Sequence, residues 1–140
     1  MVPYLSPDLG MNDARFSPDG NWVAYSKLSN GKTQLHIASY PSPSVDYTAK
    51  ELVGRGPRWR GDWRELYFLG SGNNLYAVPV SADGGRLSFG TPELLFHPAL
   101  PPAPWDIASF DVSRDGTRFL VNTVATGEPS QLVLTTNWQR

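Results

Sequence analysis

The chain has 140 residues, enough for about one ordinary domain with a buried core. Its formal net charge of −1 excludes the strongly basic character of a nucleic-acid binder or of a polybasic membrane-binding surface. The absence of cysteine excludes disulfides, thiol catalysis and thiolate metal sites, and 13 glycines with 13 prolines favour short strands joined by tight turns.

The first residues are not expected to form an export signal. Met1–Leu9 contain no Lys or Arg and carry two prolines, and no run of 18 apolar residues occurs anywhere in the chain. We therefore predict no signal peptide, no transmembrane helix and no insertion into a membrane. Within this segment, Val2-Pro3-Tyr4-Leu5 is a short strand-like run.

The next part of the chain is built from a repeat. Aligned on Asp19, Asp62 and Asp115, the copies are offset by 43 and 53 positions, and the longer offset fits an inserted proline-rich loop at 97–104. A period near 43 falls in the range of about 40–45 residues of a four-stranded propeller blade. The three copies are Ala14–Tyr25, Pro57–Phe68 and Phe110–Val121.

Each unit predicts the same order of strands and turns. A short apolar strand leads into a tight turn with Asp and, in two copies, Gly, and further strands rich in β-branched and aromatic residues follow. No stretch shows helical periodicity, so the fold class is all-β. We predict one β-structure over residues 1–140, with units at approximately 12–53, 56–96 and 107–138 and an outer strand at residues 2–5.

These motifs resemble a known family. Phe16–Tyr25 (FSPDGNWVAY) is similar to the repeat core of TolB-like, WD-like propellers, and the order of the later pieces resembles the C-terminal blades of propeller regions linked to bacterial protein kinases and transcription regulators. Those pieces are Pro57–Phe68, Leu75–Val80, Gly90–Phe96 and Leu132–Trp138. The resemblance implies a β-propeller with about three four-stranded antiparallel blades, half of a six-bladed ring, and an extracytoplasmic setting.

The resemblance also implies a recognition role. Such propellers bind partners across one face and the channel mouth, so we expect a non-enzymatic module that recognises a protein or a small-molecule ligand. Arg15, Arg58 and Asp111 occupy equivalent positions on the three innermost strands and are expected to border the channel. Trp105, after the proline-rich loop, is a further candidate contact residue.

The chain shows no catalytic constellation, and we predict no cofactor and no metal ligands. His36 and His97 have no partner at metal-ligand spacing, and Asp19, Asp62 and Asp115 are explained by turn capping. The alternatives are a hydrolase or lyase site borne on the propeller, or an accessory propeller fragment of a larger enzyme or sensor kinase.

One basic and aromatic cluster, Arg55–Arg64, suggests two interpretations. Its residues have the types that stack bases and grip phosphates. By repeat position, however, Trp59 matches Phe16 and Val112, which makes it a packing residue between blades. With a net charge of −1 we predict packing and no nucleic-acid partner.

Three blades leave apolar end faces in water, because propellers close with about 4–8 blades. We therefore predict a homodimer that closes a six-bladed ring by strand exchange. Val2–Leu5 would pair beside Gln131, Leu132, Val133 and Leu134 of the partner subunit. The alternative is a fragment of a longer chain whose other blades complete the ring.

Overall fold

The computed structural model describes Tyr4 and residues 11–100, 109–123 and 131–135. The described regular structure is almost entirely β-strand, with one 3₁₀ turn at Ser71–Asn73. The described strands are β1 (Met11–Phe16), β2 (Trp22–Ser29), β3 (Lys32–Ser39), β4 (Asp46–Val53), β5 (Arg55–Trp59), β6 (Glu65–Leu69), β7 (Leu75–Asp83), β8 (Arg86–Phe89), β9 (Glu93–Phe96), β10 (Phe110–Val112), β11 (Phe119–Thr123) and β12 (Gln131–Thr135).

The first sheet contains β1 to β4 in chain order, with every neighbouring pair antiparallel. Its second strand buries both faces, with Trp22 and Ala24 on one side and Val23 and Tyr25 on the other. This double burial explains why β2 is a continuous apolar run. The β2–β3 hairpin turns through Asn30-Gly31, both left-handed, as a two-residue hairpin turn requires.

The second sheet repeats this pattern with β5, β6, β7 and β9 and adds one hairpin. The first half of β7 lies between β6 and β9, whereas its second half pairs with β8. Asp83 faces Arg86 across a turn of two left-handed glycines. No strand was predicted at Arg86–Phe89, so β8 is an addition to the predicted unit.

The third sheet contains β10, β11 and β12, again antiparallel and in chain order. Phe110 pairs with Val121 and Val112 with Phe119, and β12 continues the sheet on the far side of β11. We refer to the three sheets as the first, second and third blades.

Buried apolar side chains fill the spaces between successive blades. The contact between the first and second blades, here called the first seam, includes Trp22, Leu35, Ile37, Leu52, Trp59, Leu66 and Phe68. The contact between the second and third blades, the second seam, includes Tyr67, Leu69, Leu75, Phe110, Phe119 and Val121. A smaller cluster, Val23, Tyr25 and Ala38, lies on the face of the first blade that is turned away from the second.

Blade-to-blade packing along the inner strands is visible in the turns as well. Gly61 donates its backbone N–H to the Arg114 carbonyl oxygen at 2.8 Å, and a Cβ on Gly61 would lie 2.5 Å from that oxygen. Glycine at this position therefore lets the third blade approach. Trp63 occupies the position of Gly20 in the repeat and adopts the same left-handed backbone, with φ 57° against 74°.

Consecutive antiparallel sheets that pack face to face confirm the predicted all-β fold of propeller blades. The described residues contain no helix with the length and apolar character needed to cross a membrane.

Candidate functional site

The three equivalent inner-strand positions meet at one cavity. Arg15, Arg58 and Asp111 line a space of about 210 Å³ together with Phe110 and Asn122, among others. These positions lie 43 and 53 residues apart in the chain, and the regular stacking of the blades brings them together. We call Asp13, Arg15, Arg58 and Asp111 the inner-rim site.

Arg58 is the centre of the inner-rim site. Its side chain is 7% exposed and donates to Asp13 at 3.2 Å and to the Pro57 carbonyl oxygen at 2.8 Å. Its Nε lies 3.6 Å from Asp111, and its guanidinium carbon lies 5.5 Å from the centre of the Phe110 ring, within cation–π range. Arg58 of the second blade is thereby tied to both neighbouring blades.

Asp13 was not among the predicted site residues, yet it binds two arginines. Its Oδ1 lies 3.2 Å from Arg58 and 3.1 Å from Arg15, so one carboxylate balances part of both charges. Asp13 lies in a β-bulge with left-handed φ of 57°, and bulges re-aim side chains in this way. The equivalent residue in the second blade is Gly56, also left-handed, which was the available sequence signal.

The charged groups at the rim differ strongly in exposure. Arg15 is 45% exposed and Asp111 is 71% exposed, whereas Arg58 is buried. Arg58 therefore helps to hold the blades together. Arg15 and Asp111 leave a cation and an anion open to a ligand.

The aspartates of the repeat turns lie outside this site and cap their own turns. Asp19 accepts from the Asn21 backbone N–H at 3.2 Å and from the Ser17 hydroxyl at 2.5 Å. Burial raises the pKa of Asp19, but these hydrogen bonds outweigh that effect and leave it below its ordinary value.

The other two copies of the turn show the same effect more strongly. The hydrogen bond from Ser113, with those from Thr117, lowers the pKa of Asp115 to about 2. The Arg60 side chain, with further support from the Arg64 backbone, lowers the pKa of Asp62 to about 2. The Arg60–Asp62 contact is 2.6 Å.

A second cavity, of about 140 Å³, lies in the first seam next to Asp13. We call it the seam cavity. It is lined by residues of β1, β2, β3 and β5, and none of them apart from Asp13 belongs to the inner-rim site. The lining residues are Asn12, Asp13, Ser26, Leu28, Thr33, Arg55 and Gly56.

The histidines lie away from both cavities. His36 Nδ1 lies 3.2 Å from Asp46 and 3.0 Å from the Thr48 hydroxyl oxygen, and His97 Nδ1 lies 2.8 Å from the Asn74 side-chain oxygen. Among the described residues, no group of three or more potential ligands could hold a metal ion.

The remaining predicted site residues are partly outside the described chain. Trp105 and residues 2, 3 and 5 of the predicted exchanging strand lie there. Tyr4 is described: its hydroxyl donates to the Ser39 carbonyl oxygen and its ring lies 5.3 Å from that of Tyr40. Burial raises the pKa of Tyr4, as do Asp46 and Tyr40. The predicted partner residues Gln131–Leu134 form the greater part of β12, which pairs with β11 of its own chain.

Comparison with known proteins supports the architecture. No protein-family model and no curated protein matches the chain. The solved structure of TolB from Acinetobacter baumannii is similar over 90% of this chain and 30% of TolB, with a TM-score of 0.57 and 15% identity. A protein described as a 6-phosphogluconolactonase from Bacteroides uniformis aligns over 90% of this chain and 36% of its own, with a TM-score of 0.45 and 16% identity.

The chain therefore spans about a third of the length of these two structures. The likeness to TolB confirms the predicted TolB-like propeller fold.

Proposed function

We propose that this chain is a non-enzymatic propeller module that recognises a protein or a small-molecule ligand at the inner-rim site. The observation that carries the proposal is the convergence of Arg15, Arg58 and Asp111 on one cavity of about 210 Å³. An exposed cation beside an exposed anion suits a ligand that presents both charges, such as a peptide segment.

The composition of the cavity favours recognition over catalysis. General acid–base catalysis needs an acid and a base with distinct environments, and in the described lining Asp111 is the one acidic side chain and no histidine is present. Asp13, close by, is already engaged by two arginines. Phe110 and Leu120 add apolar surface of the kind that anchors a ligand.

Peptides selected from a displayed random library test this proposal. We expect the selected peptides to lose at least tenfold in affinity in the Arg15→Gln/Asp111→Asn double variant, since charged hydrogen bonds contribute about 1.5–3 kcal/mol each. Arg86→Gln, on the β7–β8 hairpin, is the matched control. Equal binding by the double variant contradicts the site. Turnover of an ester or lactone panel that Asp111→Asn abolishes would instead support the hydrolase alternative.

We also propose that two copies of the chain close a ring of six blades, with Val2–Leu5 beside Gln131–Leu134 of the partner subunit. The support comes from repeat equivalence. Trp59 is 9% exposed because it packs on the preceding blade, where its indole N–H donates to the Arg15 carbonyl oxygen at 3.3 Å. Phe16, at the same repeat position, is 58% exposed.

Phe16 belongs to an aromatic group on the free face of the first blade. Its ring lies 4.9 Å from Tyr40, edge to face, and Tyr40 in turn contacts Tyr4. A preceding blade would cover this group as the first blade covers Trp59. The third blade of a second copy supplies such a blade.

Charge complementarity favours the same arrangement. In the first and second seams, residues at the position of Arg15, Arg58 and Asp111 lie near one another. Where the third blade of one copy would meet the first blade of the other, the same arrangement places the partner's Asp111 beside Arg15. A negative and a positive side chain would then meet at this junction. The rim of the closed ring would then contain two copies of the inner-rim site.

The mass in solution tests the ring. We expect light scattering to give twice 15.4 kDa at micromolar concentration. Arg15→Asp and Asp111→Arg should each weaken association, and the double variant should restore it, because the pair is then reversed. Deletion of residues 1–8 should weaken association more than any loop substitution. A folded, soluble species of 15.4 kDa contradicts the ring.

A further inference from the structure

The seam cavity is built by two matching irregularities in the inner strands. The pairing of β1 with β2 shifts register between Asn12 and Arg15, and the pairing of β5 with β6 shifts between Arg55 and Arg58. These are equivalent positions of the repeat. The two bulges meet across the first seam, and both Asn12 and Arg55 line the cavity.

The bulged residue of each strand has a left-handed backbone. Asp13 and Gly56, the bulged residues, have φ of 57° and 67°. A Cβ on Gly56 would lie 3.3 Å from Oδ2 of Asp13, closer than most such contacts. The glycine therefore leaves room for the Asp13 carboxylate and for the Phe110 ring, whose Cε1 would lie 3.6 Å from that Cβ.

Ser26 supplies a buried hydroxyl donor at the cavity. The residue is 2% exposed, and its hydroxyl oxygen accepts the Gly56 backbone N–H at 3.1 Å. Within the described part of the chain the hydroxyl hydrogen has no acceptor. A hydroxyl group has one O–H donor besides its acceptor lone pairs, so Ser26 can also donate to an acceptor atom in the cavity that it lines.

The cavity is lined by one cationic residue, Arg55, and one anionic residue, Asp13. Arg55 is half-buried and donates to the Asn73 side-chain oxygen at 3.0 Å, and no described carboxylate lies within ion-pair distance of it. Asp13 also lines the cavity, but Arg15 and Arg58 offset its charge. An anion is therefore favoured at the Arg55 end of the cavity.

The other groups define the rest of the ligand. The lining surface is mostly apolar and includes the Leu28 side chain, which is 52% exposed at the entrance. Thr33 also lines the cavity. Cavities of about 150 Å³ accept a molecule of the size of benzene, which has six non-hydrogen atoms.

We propose that the seam cavity binds a short-chain carboxylate of about six non-hydrogen atoms. One carboxylate oxygen accepts from the Arg55 guanidinium, the other accepts from the Ser26 hydroxyl, and the hydrocarbon chain lies against Leu28. The site lies wholly between the first and second blades, so it depends neither on ring closure nor on ligand recognition at the inner rim.

Titration of the ¹⁵N-labelled full chain with sodium butyrate tests the site, with butyramide as the uncharged ligand of equal size. We expect saturable shifts of the Gly56 and Ser26 amide signals with butyrate, at ionic strength matched with chloride. Butyramide should bind at least tenfold more weakly, because it lacks the charge that pairs with Arg55.

Two variants assign the contacts. Arg55→Gln should weaken butyrate at least tenfold and leave butyramide unchanged, whereas Ser26→Ala should weaken both ligands. Arg86→Gln is the control for loss of a positive charge elsewhere and should change neither. Folding of each variant is verified by the dispersion of its amide spectrum.

Three results overturn the proposal: no saturable shift at Gly56 with butyrate, equal binding of butyrate and butyramide, or unchanged butyrate binding in Arg55→Gln. Peptide binding and self-association measured in Arg55→Gln separate this site from the proposed function. Both should be retained in that variant whether or not butyrate binds.

Discussion

Trp59 and Phe16 occupy the same position in successive blades but in opposite environments. Trp59 is buried in the first seam and bonded to the Arg15 carbonyl oxygen, whereas Phe16 is mostly exposed on the free face of the first blade. Their own blades are alike, since both residues end an inner strand before a tight turn. The difference shows that burial at this position is provided by the preceding blade and not by the residue's own sheet.

Truncation of the two aromatic residues gives the largest expected contrast. Trp59→Ala should lower the free energy of unfolding by about 3–5 kcal/mol, because it opens a cavity in the first seam. Phe16→Ala should cost less than about 0.5 kcal/mol in the monomer, as for other surface positions. Urea unfolding at high dilution measures both. Equal losses would show that Phe16 is covered within its own chain.

Substitution of the two rim arginines should also lower the free energy of unfolding by different amounts, with the larger loss at the buried residue. The difference should be smaller than that between the two aromatic residues. Arg58→Gln removes a buried cation held by Asp13 and Asp111, and should lower the free energy of unfolding by about 2 kcal/mol. Arg15→Gln removes an exposed partner of Asp13 and should cost about 0–0.5 kcal/mol. Losses of similar size in the two variants would contradict the expected difference between the buried and the exposed arginine.

Substitution of a turn aspartate should affect only its own turn, because its hydrogen bonds are formed within that turn. Asp19→Ala should cost on the order of 1 kcal/mol through the lost bonds to Ser17 and Asn21. Asp19→Asn keeps one acceptor and should cost less. Peptide affinity should be unchanged in both variants, and a fully stable Asp19→Ala protein that no longer binds peptide would contradict the capping role.

The smallest expected effect is on the stability of the folded chain at low pH. The folded chain lowers the pKa of Asp62 and Asp115 to about 2 from an ordinary value of 3.8. The unfolded chain therefore takes up protons first, and the stabilisation by these carboxylates is complete above about pH 4 and lost as the pH falls towards 2. Melting temperatures across this range should fall less steeply in Asp62→Asn and Asp115→Asn than in the parent chain.

Local signals explain which parts of the fold were predictable from the sequence. Tight turns at Asp19 and Asp115 and the apolar strands after them occupy the same place in their repeat units, and each is stabilised within its own blade. The β8 strand was missed although Gly84 and Gly85 marked its turn, because few β-branched residues flank them. Its burial depends on Leu87, whose N–H donates to the Tyr47 hydroxyl oxygen of the first blade at 2.9 Å.

The candidate sites were likewise predictable only in part from the sequence. Repeat equivalence assigned Arg15, Arg58 and Asp111 to the same position of the three inner strands, since this needs no detailed geometry. Asp13 was not predicted, because a left-handed aspartate in a bulge has no sequence signature of its own. The contact between Ser26 and Gly56 joins residues 30 positions apart, and periodicity does not reveal a cavity formed by such contacts.

The β7–β8 hairpin also influences how the chain opens. It extends from the second blade and covers the outer part of the first, where Leu87 and Phe89 pack around Tyr47. The first two blades are thereby fastened at both their inner and outer margins. They should exchange amide hydrogens as one cooperative unit, with the third blade opening first. In an array of otherwise similar repeats, this hairpin gives the chain a preferred order of unfolding.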